Sequence, residues 1–434
     1  MKNLPQLVVS DENGNIFELA RYKMVAMTLH TPVVPIKEDE LIPLPRGSSL
    51  YLLPDRTALA WDQRKEDVVE VKEHRGRRVF PVAAFMAPAY VHFYTTAFRG
   101  EGPTSRPLPL YCYAAVGWGE GEFVVPAKRV DADIRQDPEN MDPVLIEEQA
   151  GVTLKRFPHN RLAEHLVENC VRSYCCPAAR NFVLRRWEAP LPTSPSCNAG
   201  CVGCISLQAK ETGVTAPQDR IAFIPRPEEI AEIALAHLEV APRPVVSFGQ
   251  GCEGEPLLAG EVIEEAIRLI RRKTDRGIIN LNTNGSKPEV VERLALAGLD
   301  SIRVSLNSVR KEWYHRYFSP RNYGFEDAAE SLSVMKRAKR WNSINYFVFP
   351  GFTDTEEEMD ALLTFTKERG VNMIQARNLN IDPQWYLDKM GLTTVEVPSF
   401  GVREWISRIT KELPRVKLGY FNPPREEMEK YPMP

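Results

Sequence analysis

The chain is predicted to be α/β, a partial (βα)6 TIM-like barrel preceded by a mainly β N-terminal domain, on two observations. From about residue 226 onward, short β-rich runs alternate with amphipathic helical stretches, as in βα units around a parallel sheet. Before about residue 150 the chain instead carries many prolines, short alternating runs such as SLYLLPD and RTALAWD, and aromatic segments such as YVHFYTTAF and LYCYAAVGW, which suit β strands joined by irregular loops.

In residues 257–273 the apolar Val262, Ile263, Ala266, Ile267, Leu269 and Ile270 recur near helical period, while Glu264, Glu265, Arg268, Arg271 and Arg272 face away. Similar helices suit 226–240, 288–297, 324–340, 355–369 and 400–413. Between them stand PVVSFGQ, GIINLNTNG, SIRVSLNS, INYFVFPG and MIQARNLN, each ending in polar residues or glycine. One further strand, near 183–187, makes six βα units. The carboxyl ends of parallel strands form the reactive face of such folds, so polar residues gathered there mark a site.

A length of 434 residues implies two or three domains. We divide it into the β domain at 1–150, a candidate for substrate recognition, then a cysteine-containing helical linker at 151–190. The barrel follows at 191–390, then a C-terminal helix and tail at 391–434. RLAEHLVENCVRSYC reads as a helix leading into the cysteine region. Hydrophobic residues at 43% and charged residues at 26% are an ordinary globular mix, and no apolar run reaches bilayer length. The first residues lack the basic start and apolar stretch of a secretory signal, so a cytoplasmic protein without a membrane partner is expected. A net charge of −3 without a large basic block does not advertise nucleic acid.

Eight cysteines, at 112, 170, 175, 176, 197, 201, 204 and 252, point to metal or redox chemistry rather than a disulfide framework. SPSCNAGCVGCISLQ sets Cys197, Cys201 and Cys204 in a C-x3-C-x2-C arrangement. Three thiolates this close on a loop can each ligate one iron of a 4Fe-4S cubane and leave the fourth iron open to another ligand. The alternative is a structural zinc site closed by Cys252 as a fourth thiolate.

Together with the residues downstream of it, this motif resembles the radical S-adenosylmethionine superfamily over about residues 180–385. Gly251, Cys252, Glu253, Gly254, Glu255 and Pro256 stand where that family shows a Gly-Gly-Glu-Pro motif; position 253, usually glycine, is Glu here. The resemblance implies a 4Fe-4S cluster on Cys197, Cys201 and Cys204, and S-adenosylmethionine held by Gly254, Glu255 and Pro256, with Glu255 accepting from the methionine amino group. Asn282, Asn284, Ser305 and Asn307, at the tips of the next two strands, become cofactor-binding candidates. Ser305 and Asn307 share a strand face with Arg303. The equally available alternative is that these residues cap helices and make turns.

Gln375, Arg377, Asn378, Asn380 and Asp382 crowd the last strand end, where they line the substrate side with Arg377 as an anion clamp, or else form a structural network. Cys112, Cys170, Cys175 and Cys176 are candidates for a second iron–sulfur cluster. Adjacent side chains diverge, which argues against Cys175 and Cys176 both serving.

The expected activity is oxygen-sensitive reductive cleavage of S-adenosylmethionine to a 5′-deoxyadenosyl radical, which takes hydrogen from a peptide, protein or small-molecule substrate, with flavodoxin or ferredoxin as electron donor. No cobalamin-binding motif is recognisable. Rival readings are an RNA-modifying enzyme whose Tyr90, Phe93, Tyr94, Tyr111, Tyr113 and Trp118 stack on bases, a non-catalytic iron–sulfur electron carrier or redox sensor, and a zinc-stabilised binding module.

Overall fold

The computed structural model describes residues 4–29, 33–34, 36–100, 102, 106–393 and 398–431. Its centre is a sheet of seven parallel strands in sequential order, β1 (Glu188–Pro190), β2 (Val245–Phe248), β3 (Ile278–Thr283), β4 (Ser301–Leu306), β5 (Trp341–Val348), β6 (Met373–Asn378) and β7 (Lys417–Gly419). Among the described residues β1 and β7 are not paired to each other, so the barrel is open.

The expected (βα) alternation is present, with two corrections. The stretch expected to be a strand at 183–187 follows a helix, Pro177–Val183, and the first strand starts at Glu188. A seventh strand, β7, lies in the segment read as helix and tail. Three residues with one β-branched neighbour carry too little periodicity to be read locally.

Each strand has helices on its outer side, which makes it apolar there. Register sets the inner side. Ser247 pairs with Asn280, and Asn280 with Ser301. Asn282 pairs with Arg303, Ser305 with Asn345, and Asn345 with Gln375. Because side chains alternate with period two, this alignment collects the polar set on one face while Val246, Ile279, Leu281, Ile302, Val304, Ile344 and Ile374 are buried on the other. The inner groups bond to one another: Ser301 Oγ donates to Asn280 Oδ1 at 2.7 Å and Ser247 Oγ to Glu188 Oε1 at 2.6 Å. Asn422, just after β7, donates to Glu188 at 2.7 Å and accepts from Gln375 at 3.1 Å, joining the two sides of the open barrel.

The N-terminal region is an antiparallel sheet of eleven strands among the described residues, with Val8, Val82, Ala84, Met86, Cys112 and Val125 in one core. The linker begins with helix Pro143–Arg156, capped by Asp142 accepting from Val144 N–H at 2.9 Å. Helix Arg161–His165 follows, and it passes directly into π-helical winding over Leu166–Ser173. Among the described residues no helix is long and apolar enough to cross a membrane.

The β domain is fastened to the barrel through polar contacts. Asn378 Nδ2 donates to Tyr90 O at 2.9 Å, Asp131 accepts from Tyr420 N–H at 2.9 Å, and Leu29 N–H donates to Pro350 O at 3.0 Å.

Candidate functional site

Cys197, Cys201 and Cys204 lie half-buried on the loop after β1. Bonds to other segments hold that loop's backbone. Gly200 N–H donates to Phe318 O at 2.8 Å, Val202 N–H to Tyr317 O at 2.9 Å, and Arg321 N–H to Asn198 O at 2.8 Å. Burial pushes the Cys201 thiol well above its ordinary value, and the charges of Cys204 and Cys197 add to this. Burial also raises Cys197, followed by the Glu255 carboxylate. A cationic iron centre would relieve the opposition that Cys197 and Cys201 meet to ionising in this partly buried pocket.

The turn after β2 is bonded to this loop main chain to main chain. Gly254 N–H donates to Ser194 O at 2.6 Å and Glu255 N–H to Ser196 O at 2.7 Å. A Cβ at 254 would stand 2.0 Å from Ser196 O, so only glycine admits this approach. Gly249, at φ +77°, opens the same turn with Asn282 O 1.7 Å from where a Cβ would stand.

Glu253, where the resembled motif has glycine, is buried. Its carboxylate accepts from Thr193 N–H at 2.7 Å, Thr193 Oγ1 at 3.1 Å, Ser194 N–H at 3.0 Å, and Gly249 and Gln250 N–H at 2.7 Å each. It therefore staples the β1 exit to the β2 turn. The departure from the motif strengthens the loop by satisfying backbone donors that would otherwise be orphaned.

Glu255 is buried and accepts from Leu257 N–H at 3.1 Å, Asn284 N–H at 2.8 Å and the Thr283 hydroxyl. Burial drives its carboxyl up to about 7 against those three bonds, with Glu253 adding to the rise. Two oxygens with four lone-pair positions leave room for a further donor, and a bound ammonium group would bring the value back down.

The strand-tip candidates divide. Asn284 reaches the cysteine loop, donating to Asn198 Oδ1 at 2.8 Å. Ser305 is half-buried and accepts from Asn345 Nδ2 at 3.4 Å, and among the described residues Asn345 Oδ1 is buried without a hydrogen-bond partner, as is Ser286 Oγ. Asn307 donates to Trp313 O at 3.2 Å. Asn282 donates to Phe248 O and Gly249 O, each at 3.0 Å, and accepts from Asn280, so its amide is spent on holding β2 to β3.

At the last strand end, structural roles prevail. Arg377 donates to Tyr420 O at 2.9 Å with its guanidinium carbon 3.9 Å from the Tyr420 ring centre, so the residue offered as an anion clamp or a network member takes part in a network here. Asn378 is bound to the β domain, and Asp382 caps helix Pro383–Met390 while pairing with Arg56. Arg303 donates to Gln375 Oε1 at 2.6 Å, and burial followed by the charge of Arg377 lowers it to about 9.

The remaining cysteines are dispersed differently from expectation. Cys112 packs in the β-domain core, where burial raises its thiol to about 12, and Cys175 is exposed. Cys252 does not close a tetrahedron with the main loop; its sulfur lies 3.4 Å from that of Cys170. Of the aromatic residues offered for base stacking, Phe93, Tyr94 and Tyr113 are buried, and Tyr113 hydroxyl donates to Pro109 O at 2.6 Å.

Sequence reasoning did not find Thr283, Arg220 or His165. Arg220 places its guanidinium 3.7 Å from Cys204 Sγ and donates to Ser206 Oγ at 3.0 Å, and Ser206 Oγ is 3.6 Å from that sulfur. Nothing local marks an arginine sixteen positions past a cysteine motif as its neighbour.

Residues 191–363 match the family model described as the Radical SAM superfamily. A probable GTP 3′,8-cyclase of Thermococcus kodakarensis is 31% identical over 136 residues, covering 30% of this chain and 40% of that protein. An AdoMet-dependent heme synthase of Methanosarcina barkeri is 29% identical over 157 residues, covering 35% and 38%. The chain thus spans about two fifths of the length of these curated relatives. A radical SAM methyltransferase structure from Sphaerobacter thermophilus aligns with a TM-score of 0.38 at 16% identity over 54% of this chain and 66% of that one. The segment 191–363 belongs to the radical S-adenosylmethionine superfamily.

Proposed function

We propose that this protein is an enzyme that holds a 4Fe-4S cluster on Cys197, Cys201 and Cys204, cleaves S-adenosylmethionine reductively and abstracts hydrogen from a peptide, protein or small-molecule substrate. The observation that carries the reading is the pair of backbone bonds from Gly254 and Glu255 to Ser194 and Ser196, which fixes the carboxylate beside the cysteine loop. When bound, the cluster supplies the electron that breaks a carbon–sulfur bond of S-adenosylmethionine to give a 5′-deoxyadenosyl radical.

The chain's own residues bind and orient. Glu255 accepts from the ammonium group of the methionine moiety, Thr283 and the Asn284 N–H hold its carboxylate in place, and the Asn284 side chain ties that arrangement to Asn198 between two cysteines. The unpartnered Ser286 Oγ and Asn345 Oδ1 suit the polar groups of a nucleoside. Arg220 directs its guanidinium at the Cys204 sulfur while donating to Ser206 Oγ beside it. A flavodoxin or ferredoxin is the expected electron donor. The burial of Phe93, Tyr94 and Tyr113 takes three of the six aromatic residues away from the RNA reading. Anaerobically reconstituted protein given a strong reductant should form 5′-deoxyadenosine and methionine; iron binding without either product would favour the electron-carrier alternative.

A further inference from the structure

Outside the main loop, His165, Cys170 and Cys252 bring a ring nitrogen and two sulfurs within 4.8 Å of one another, with both cysteines buried. The two sulfurs are 3.4 Å apart, and Cys170 Sγ is 3.8 Å from His165 Nε2. Ligands at ordinary zinc–sulfur and zinc–nitrogen lengths around a tetrahedral ion stand about 3.5–3.8 Å apart. The observed spacings fall close to that range. Thiolates on separate irons of a cubane stand further apart, so the geometry suits a single ion better than a second cluster.

The backbone supplies an independent observation. His165 and Cys170 are five residues apart, a separation that places side chains on different faces of an α-helix. The chain changes to π-helical winding at Leu166–Ser173, where bonds run from i to i+5 and bring residues five apart into line, and such departures are frequent at functional sites. The third ligand comes from 82 positions away, in the turn that carries Gly254 and Glu255. Cys176 stands at the end of the same loop, its N–H donating to Cys170 O at 2.8 Å.

We propose that His165, Cys170 and Cys252 form a second metal site for a single tetrahedral divalent ion of the zinc class, tying the linker helix to the turn that carries Glu255. Water completes its coordination. A mixed nitrogen–sulfur set selects a borderline-soft ion over magnesium or calcium. The site does not rest on the proposed reaction, because it shares no ligand with the main cysteine loop.

The test uses the full chain with Cys197→Ala, Cys201→Ala and Cys204→Ala combined, which cannot hold the main cluster whatever the enzyme does. Grown with zinc and dialysed under reducing conditions, it should retain about one zinc per chain, and cobalt(II) in its place should give thiolate-to-metal absorption. His165→Asn should weaken zinc at least about tenfold, since losing even an outer partner of a ligand costs that much. Cys170→Ser and Cys252→Ser should abolish the cobalt–thiolate bands, while Cys112→Ser leaves them. Circular dichroism of each variant separates lost coordination from lost folding. The proposal is overturned if the reduced triple variant retains no stoichiometric metal, if it holds iron with sulfide instead, if Cys170 and Cys252 form a disulfide that persists under reduction, or if folded Cys252→Ser keeps the cobalt bands.

Discussion

The Arg56 guanidinium and the Asp382 carboxylate meet at 2.9 Å with each side chain 1% exposed, which places a buried ion pair between the β domain and the barrel. The same carboxylate accepts from Leu108 N–H at 2.9 Å and Gln384 N–H at 2.9 Å, so both of its oxygens are engaged. Removing one partner strands the other charge away from water. Asp382→Ala should lower unfolding stability by about 3–5 kcal/mol in denaturant titrations, whereas an apolar replacement of both residues should cost much less. A loss below about 1 kcal/mol for the single variant would show the junction to be solvated.

Glu253→Ala should be costly without touching cofactor. It removes a carboxylate that serves five donors across the β1 exit and the β2 turn. Leaving buried donors unmatched predicts a loss of about 2–3 kcal/mol and slower cluster reconstitution, read by calorimetry and by iron content.

Glu255→Ala should keep iron loading but weaken S-adenosylmethionine binding, because it removes an acceptor and no iron ligand. The wild-type carboxyl, raised to about 7 by burial, should bind the ammonium group better as pH rises through about 7. For folding the sign is opposite. A carboxyl raised in the folded state contributes stability below the ordinary glutamate range that is lost as pH rises through about 7, and bound cofactor should restore it. Isothermal titration with S-adenosylmethionine checks the binding, and denaturant titration with and without it the stability, at pH values about one unit either side of that value.

Cys197→Ala, Cys201→Ala or Cys204→Ala should each abolish uncoupled 5′-deoxyadenosine formation and reduce iron content, while Cys112→Ala leaves cleavage largely intact. The first three alter the loop expected to hold the iron; the last changes a side chain in a separate core.

Glu229 is held down to about 2, first by its hydrogen bonds with Arg161. This pair joins the linker to helix Pro227–Val240. A lowered carboxyl contributes stability above the ordinary glutamate range and loses it as pH falls through about 2. Arg161→Ala should flatten that acid dependence with little effect on stability at neutral pH, because the arginine is half exposed.

Much of this architecture is legible in local pattern. Helices at 288–297 and 356–369 follow from periodicity and their terminal glycines, because an apolar stripe of period 3.6 has one way to bury itself. The inward polar rows follow from period two once the strands pair in register. The short strands β1 and β7 are not legible, because their pairing is decided by neighbours already in place rather than by their own three residues.

The sequence by itself determined the spacing of Cys197, Cys201 and Cys204, the glycine–glutamate–proline turn, and the order in which strand tips present polar groups. These depend on neighbours a few residues away, so the chain carries them before it folds. Only the tertiary structure decided which of the remaining groups are spent. It joined Arg56 to Asp382 across 326 positions and Cys170 to Cys252 across 82, and it bound Arg377 to Tyr420 and Asn282 to the β2 carbonyls. A buried polar group must find a partner wherever packing places one, and packing is a property of the whole chain.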